Sequence, residues 1–109
     1  MDANARIYGS LEFTGSLDQL GQLLRKNGLS VNVGIYAIRI LEGCDFILRW
    51  EGNINPLEPF IIDAAWGNTE QLERTCQKIS KAMTSERIVH ELEIETVEGE
   101  IVRTYSFTG

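Results

Sequence analysis

Glu91, Glu93 and Glu95 occupy every second position of one run, interleaved with Leu92 and Ile94, and Glu98 and Glu100 follow within five residues. In an extended chain alternate side chains share a face about 7 Å apart. Three like charges in such a row repel, so that face must meet either water or a cationic partner. Glu91, Glu93, Glu95, Glu98 and Glu100 are therefore candidate contacts for a protein with a basic surface. A second group is aromatic: Trp50, Trp66, Tyr36 and Tyr105, with Asp63 as a nearby carboxylate. Ring faces and a carboxylate together suit a flat cationic ligand or an interface anchor. His90, the one histidine, is expected to be a structural or surface residue rather than a base. The chain has no phosphate-binding glycine loop, nucleophile elbow, metalloprotease motif or zinc spacing. A non-enzymatic protein is expected, with no catalytic residue, no cofactor and no metal.

Composition narrows the partners. The 109 residues carry 16 acids, 10 Lys or Arg and one His, a formal net charge of −6. The acidity is uneven: residues 1–55 hold six acids against five bases, residues 56–109 ten against five. Nucleic acid is an unsuitable partner for such a chain. No apolar stretch approaches the ~18 residues a spanning helix needs, so no membrane partner is expected. The first residues, Met1 to Arg6, lack the pattern of a secretory signal. With only Cys44 and Cys76 and no paired spacing, the expected location is the cytoplasm, where thiols stay reduced.

These residues must be positioned by alternating strands and two helices. Residues 6–14 alternate, with Ile7, Gly9, Leu11 and Phe13 on one face. Ser16 caps a helix with Gln19 three residues on, and Leu17, Leu20, Leu23 and Leu24 form its stripe up to Asn27-Gly28. Residues 31–41 read as one strand, Glu42-Gly43 as a turn and 44–50 as the return strand. Gly52 to Pro59 is a linker. Residues 60–66 read as a strand broken by Gly67, after which Asn68 caps a helix with the stripe Leu72, Cys76, Ile79 and Met83. Glu70 and Arg74 form an i, i+4 pair. Residues 89–97 and 100–107 are the last strands, joined at Glu98-Gly99.

The order strand, helix, strand, strand occurs twice. Gly15-Ser16-Leu17-Asp18-Gln19-Leu20 parallels Gly67-Asn68-Thr69-Glu70-Gln71-Leu72, and Leu41-Glu42-Gly43 parallels Val97-Glu98-Gly99. The expected fold is α+β: one domain over 1–109, two tandem βαββ units (about 5–52 and 58–109), an antiparallel sheet and two helices. In element order this layout resembles the duplicated ligand-binding domains of the gyrase-inhibitor-like group, and a cleft between the halves is expected to be lined by Trp50, Trp66 and Asp63. A ferredoxin-like βαββαβ fold with an extra C-terminal strand is the alternative if 60–66 is not a paired strand.

A two-residue loop at Glu98-Gly99 pairs Leu92 with Tyr105, Ile94 with Arg103, Glu93 with Thr104 and Glu95 with Val102, unless a bulge slips it. The same loop at Glu42-Gly43 leaves the first hairpin, Val33 to Trp50, largely apolar on both faces, with Ile35, Ala37, Leu41, Phe46, Leu48 and Trp50 opposite Tyr36, Ile38, Ile47 and Arg49. A helix covers one face, so the other is expected to meet the other half of the chain, a second copy in a homodimer, or a ligand. The leading functional expectation is an inhibitor or immunity-type protein that neutralises a basic partner. A cleft between the halves for cationic aromatic ligands and a homo-oligomeric adaptor are the alternatives.

Overall fold

The computed structural model describes residues 4–42, 45–50, 60–96 and 98–108, with the side chains of 4, 45 and 61–67 outside that description. Cys44, Gly43 and the linker before Pro59 lie outside it as well. The elements are β1 (Asn4–Leu11), α1 (Leu17–Lys26), β2 (Val31–Val33), β3 (Ala37–Ile40), β4 (Asp45–Trp50), β5 (Phe60–Asn68), α2 (Thr69–Ser85), β6 (His90–Thr96) and β7 (Ile101–Phe107). Seven antiparallel strands form one sheet in the order β2-β3-β4-β5-β1-β6-β7. The fold is α+β. Because β5 pairs with both β4 and β1 at the centre, the ferredoxin-like alternative is excluded.

Both helices start where their caps direct. Ser16 Oγ accepts from the Gln19 N–H at 3.1 Å, and Gln19 Oε1 accepts from the Ser16 N–H at 2.8 Å. Asn68 Oδ1 accepts from the Glu70 and Gln71 N–H groups at 2.9 and 3.3 Å. The expected stripes are the buried ones: Leu20 and Leu24 on α1, and Leu72, Cys76, Ile79 and Met83 on α2, are fully enclosed. They join Ile7, Leu11, Ile38, Ile40, Phe46, Leu48, Phe60, Leu92 and Ile94 in one core cluster. Each large buried side chain contributes about 1.5–3 kcal/mol. All these strand residues lie on one face, so both helices cover the same side of the sheet. Among the described residues no helix lies on the opposite face.

Both helices also end alike. The Leu29 N–H donates to the Leu24 carbonyl and the Gly28 N–H to Arg25, while the Ile88 N–H donates to Met83 and the Arg87 N–H to Thr84. These are paired Schellman closures, which need a left-handed residue just past the cap. Gly28 fills that position in the first (φ +87), and Arg87 in the second (φ +57). A Cβ there is strained. Arg87→Gly is expected to stabilise the fold by about 1 kcal/mol in urea unfolding.

Three expectations are corrected. Residues 31–41 are two strands, not one: the chain reverses at Gly34-Ile35-Tyr36, closed by the Gly34 N–H to Ala37 carbonyl bond at 2.8 Å. The buried positions switch there from odd (Val31) to even (Ile38, Ile40) numbers. Gly67 does not break β5, which runs through it and directly into α2. Finally, β3 and β4 pair Ala37 with Arg49, Ile38 with Leu48 and Arg39 with Ile47, one residue away from the expected register. A one-residue slip moves each side chain against a different row. Ile38 and Leu48 now share the core face, and the outer face holds exposed Arg39 and Arg49 beside half-buried Ala37 and Ile47. Among the described residues the outer face of this hairpin is therefore mixed rather than wholly apolar, with Ile35, Tyr36 and Leu41 exposed at its ends.

Candidate functional site

The face that no helix covers is built chiefly by β1, β6 and β7 at one end. Inward-facing Ile7 and Leu11 on β1, and Leu92 and Ile94 on β6, anchor the strands in the core. Pleating then turns Arg6, Tyr8 and Ser10, and Glu91, Glu93 and Glu95, outward. Glu95 stands opposite Arg6, Glu93 opposite Tyr8 and Glu91 opposite Ser10. On the other side, Glu91 opposes Ser106, Glu93 opposes Thr104 and Glu95 opposes Ile101. The carboxylates thus form one continuous row, with hydroxyl-bearing neighbours on both sides of Glu91 and Glu93, and Arg6 and Ile101 flanking Glu95.

The last hairpin follows the expected register from His90 to Ile94 and then slips by one. Gly99 adopts φ +88, its N–H donates to the Thr96 carbonyl, and the Thr96 N–H reaches the Glu100 carbonyl. The loop is therefore three residues, with glycine at the left-handed position. Glu95 faces Ile101 rather than Val102, and Val102 is the extra residue of a bulge. Glu98 and Glu100 are exposed at this turn, and Ile101 and Val102 are exposed at its β7 side.

The row is electrostatically crowded. Glu91, within hydrogen-bond reach, raises the Glu93 carboxyl above its ordinary value, and local desolvation and the charges of Glu91 and Glu95 push the same way. Across the row, Arg6 Nη1 donates to the Tyr8 hydroxyl at 3.2 Å. That bond and the Tyr8 charge, with a smaller contribution from Glu95, favour the charged guanidinium. A carboxyl raised in the folded state makes folding bind protons, so its contribution opposes stability as pH rises past the unfolded value. Glu93→Gln is expected to raise the urea midpoint at pH 7, with the difference vanishing below about pH 4.

The aromatic group is dispersed. Trp50 is half-buried against the core at the end of β4, and its backbone N–H donates to the Tyr36 backbone carbonyl at 2.9 Å. Tyr36 itself is exposed at the β2–β3 turn. Tyr105 lies on β7, four strands from β4, or roughly 19 Å at ordinary strand spacing. Its hydroxyl donates to the Glu73 carbonyl at 3.4 Å, and burial raises its pKa. Trp66 pairs in register with Arg6 and Asp45; its side chain and that of Asp63 lie outside the description. Asp63 is the extra residue of a β5 bulge, between the Ile62–Leu48 and Ala64–Ile47 pairs. The structure brings Trp50 and Tyr36 together and leaves Tyr105 apart.

Two features on the helix side had no marker in the sequence. A polar cleft of about 310 Å³ lies between α2 and the end of β3, lined by Leu41, Glu42, Gln71, Arg74, Thr75 and Lys78. Lys78 Nζ meets Glu42 Oε1 at 2.6 Å, and the Ser30 N–H donates to Glu42 Oε2 at 3.2 Å. Burial alone raises the Glu42 carboxyl, but the Lys78 and Ser30 bonds outweigh it and hold it below its ordinary value. The expected Glu70–Arg74 pair forms at 3.6 Å on the exposed surface. The second feature is a Ser80–His90 contact beside an open cleft at Tyr105. His90 is buried, so it is not a surface residue.

Among the described residues no group of His, Cys, Asp and Glu has a metal-holding arrangement, and no helix is long and apolar enough to cross a membrane. Comparison with protein-family models, with curated proteins and with solved structures gives no match.

Proposed function

We propose that this chain is a binding protein that captures a basic protein partner on the uncovered sheet face, in the manner of a cytoplasmic inhibitor or immunity-type protein. The observation that carries the reading is the row Glu91, Glu93 and Glu95, aligned on a face without a helix and crowded enough to raise Glu93. A fold keeps such repulsion at a cost. A cationic partner removes the cost and gains from it, so the row favours binding and steers approach. Exposed Tyr8 and Ile101 border the carboxylates and provide apolar area for a partner's aliphatic stems. Glu98 and Glu100 extend the acidic field beyond the row.

The two-unit ancestry belongs with this proposal. Matching helix starts and matching Schellman ends support a duplication after which one copy acquired, or the other lost, the acidic face.

Salt dependence tests the electrostatic reading. A fluorescent octalysine peptide stands in for the basic partner, and its anisotropy reports binding. Raising salt from about 10 mM to about 150 mM shrinks the Debye length from about 30 to about 8 Å. The affinity is expected to fall at least tenfold over that range; salt-independent binding, or none at low salt, contradicts the proposal.

A further inference from the structure

His90 sits on β6 beneath α2, 3% exposed, with its ring stacked on Phe107 at 6.5 Å. Nδ1 lies 2.8 Å from the Ile88 carbonyl and Nε2 lies 2.7 Å from Ser80 Oγ. A carbonyl can only accept, so Nδ1 carries the proton. In the neutral ring Nε2 is then a bare acceptor, and the Ser80 hydroxyl donates to it. This is the arrangement that activates a serine: a base in contact with the nucleophile, oriented by a third group.

The orienting carbonyl is itself fixed. Ile88 closes the Schellman turn of α2 through its N–H to Met83, and the preceding Arg87 is held at φ +57 to allow it. Among the described residues Arg87 is the one non-glycine with positive φ. Ser80 lies beside the buried stripe residues Cys76, Ile79 and Met83 and is only half-buried. It therefore touches the imidazole on one side and an open cleft of about 520 Å³ on the other, lined also by Gln77, Lys81, Thr84, Ser85 and Tyr105. That volume suits a small ligand. The Ser80 backbone N–H is spent within the helix, so donors to a developing oxyanion must come from side chains that line the cleft, among them Gln77, Lys81 and Thr84.

We propose that Ser80 and His90 form a nucleophilic pair that accepts the acyl group of small esters bound in the cleft between α2 and β7. Ser80 Oγ forms a bond to the ester carbonyl carbon as its proton passes to His90 Nε2. The bond from that carbon to the alcohol oxygen then breaks, and the imidazolium returns the proton to the departing alcohol. Water repeats the sequence on the acyl-serine, releasing a carboxylic acid and restoring Ser80. The cleft lies on the helix side, away from the glutamate row, and this activity is independent of partner capture there.

The test uses the full chain and p-nitrophenyl acetate. Nitrophenolate release is followed by absorbance, and the acetylated position is located by peptide mass mapping. Acetyl-Ser80 is expected, absent in Ser80→Ala and formed about 100-fold more slowly in His90→Gln. Ser80→Ala leaves the buried His90 Nε2 without its donor, so a cooperative melting transition at a modestly lowered temperature shows that the chain still folds and separates lost chemistry from lost fold. Ser80→Cys is expected to keep the labelling at that position. Acetylation confined to lysines, or Ser80 labelling at the same rate in a folded His90→Gln chain, overturns the proposal.

Discussion

Reversing Glu91, Glu93 and Glu95 to Lys slows capture of an octalysine peptide by roughly 100-fold at low ionic strength, within the range that electrostatic steering supplies. Each reversal adds two units of charge, so the triple variant moves from −6 to neutrality. Net charge alone would have the same effect wherever the reversals were made. The comparison is therefore with Glu70, Glu73 and Glu86 reversed to Lys, three acids on or just after α2. Two of them make only exposed ion pairs, Glu70 with Arg74 and Glu86 with Lys26, which are worth little. That variant is also neutral overall, yet it leaves the uncovered face intact. Stopped-flow association should separate the two by at least tenfold. Equal slowing would mean that the chain attracts cations only as a charged body.

Gly9→Ala is expected to cost about 3 kcal/mol, at the upper end of what overpacking produces. Gly9 lies opposite Leu92 where β1 meets β6. A Cβ built there collides with the Glu91 carbonyl oxygen and sits 3.0 Å from Leu92 Cα. These are backbone atoms of the strand that carries the glutamate row, so no side chain can turn aside to make room. The two strands must separate, and the row moves with them. Gly28→Ala is the comparison. Gly28 has φ +87 but nothing within 4 Å of its Cβ position, so only backbone strain of about 1–2 kcal/mol is expected. For a domain with about 5–15 kcal/mol in total, the difference is readily measured by urea unfolding. Gly9→Ala costing no more than Gly28→Ala would mean that β1 and β6 accommodate the methyl without separating.

What could be read from the chain divides by distance along it. Ser16 with Gln19, Asn68 with Gln71, and the leucine stripe of α1 all lie within a few residues of their partners, and local chemistry specified them. The β6–β7 register was also accessible, because a short glycine turn ties the two strands together; only the slip beyond Ile94 required the coordinates. The β3–β4 register was not, because a shift of one residue is invisible in a run where Ile38, Ile40, Phe46, Ile47 and Leu48 are all apolar. The odd-to-even switch between Val31 and Ile38, with Gly34 between them, was the available sign that the run turns back. Strand order at the centre depends on β1 choosing β5 and β6, whose paired residues lie 49 or more positions away, and no local pattern encodes that choice. The glutamate row was visible as alternation. Its neighbours Arg6 and Tyr8, and the absence of a helix over it, were not. Ser80 and His90 meet only because the Arg87 turn folds β6 back under α2.

The central claim is that the face bearing Glu91, Glu93 and Glu95 receives a basic partner. Amide chemical-shift mapping during an octalysine titration at low salt tests it residue by residue. The expected footprint covers residues 91–95, Arg6 to Ser10 on β1, and the outward positions Ile101, Thr104 and Ser106 on β7, with α1 and α2 unmoved. A footprint centred on the helices, or shifts spread evenly over every acidic residue, would contradict it.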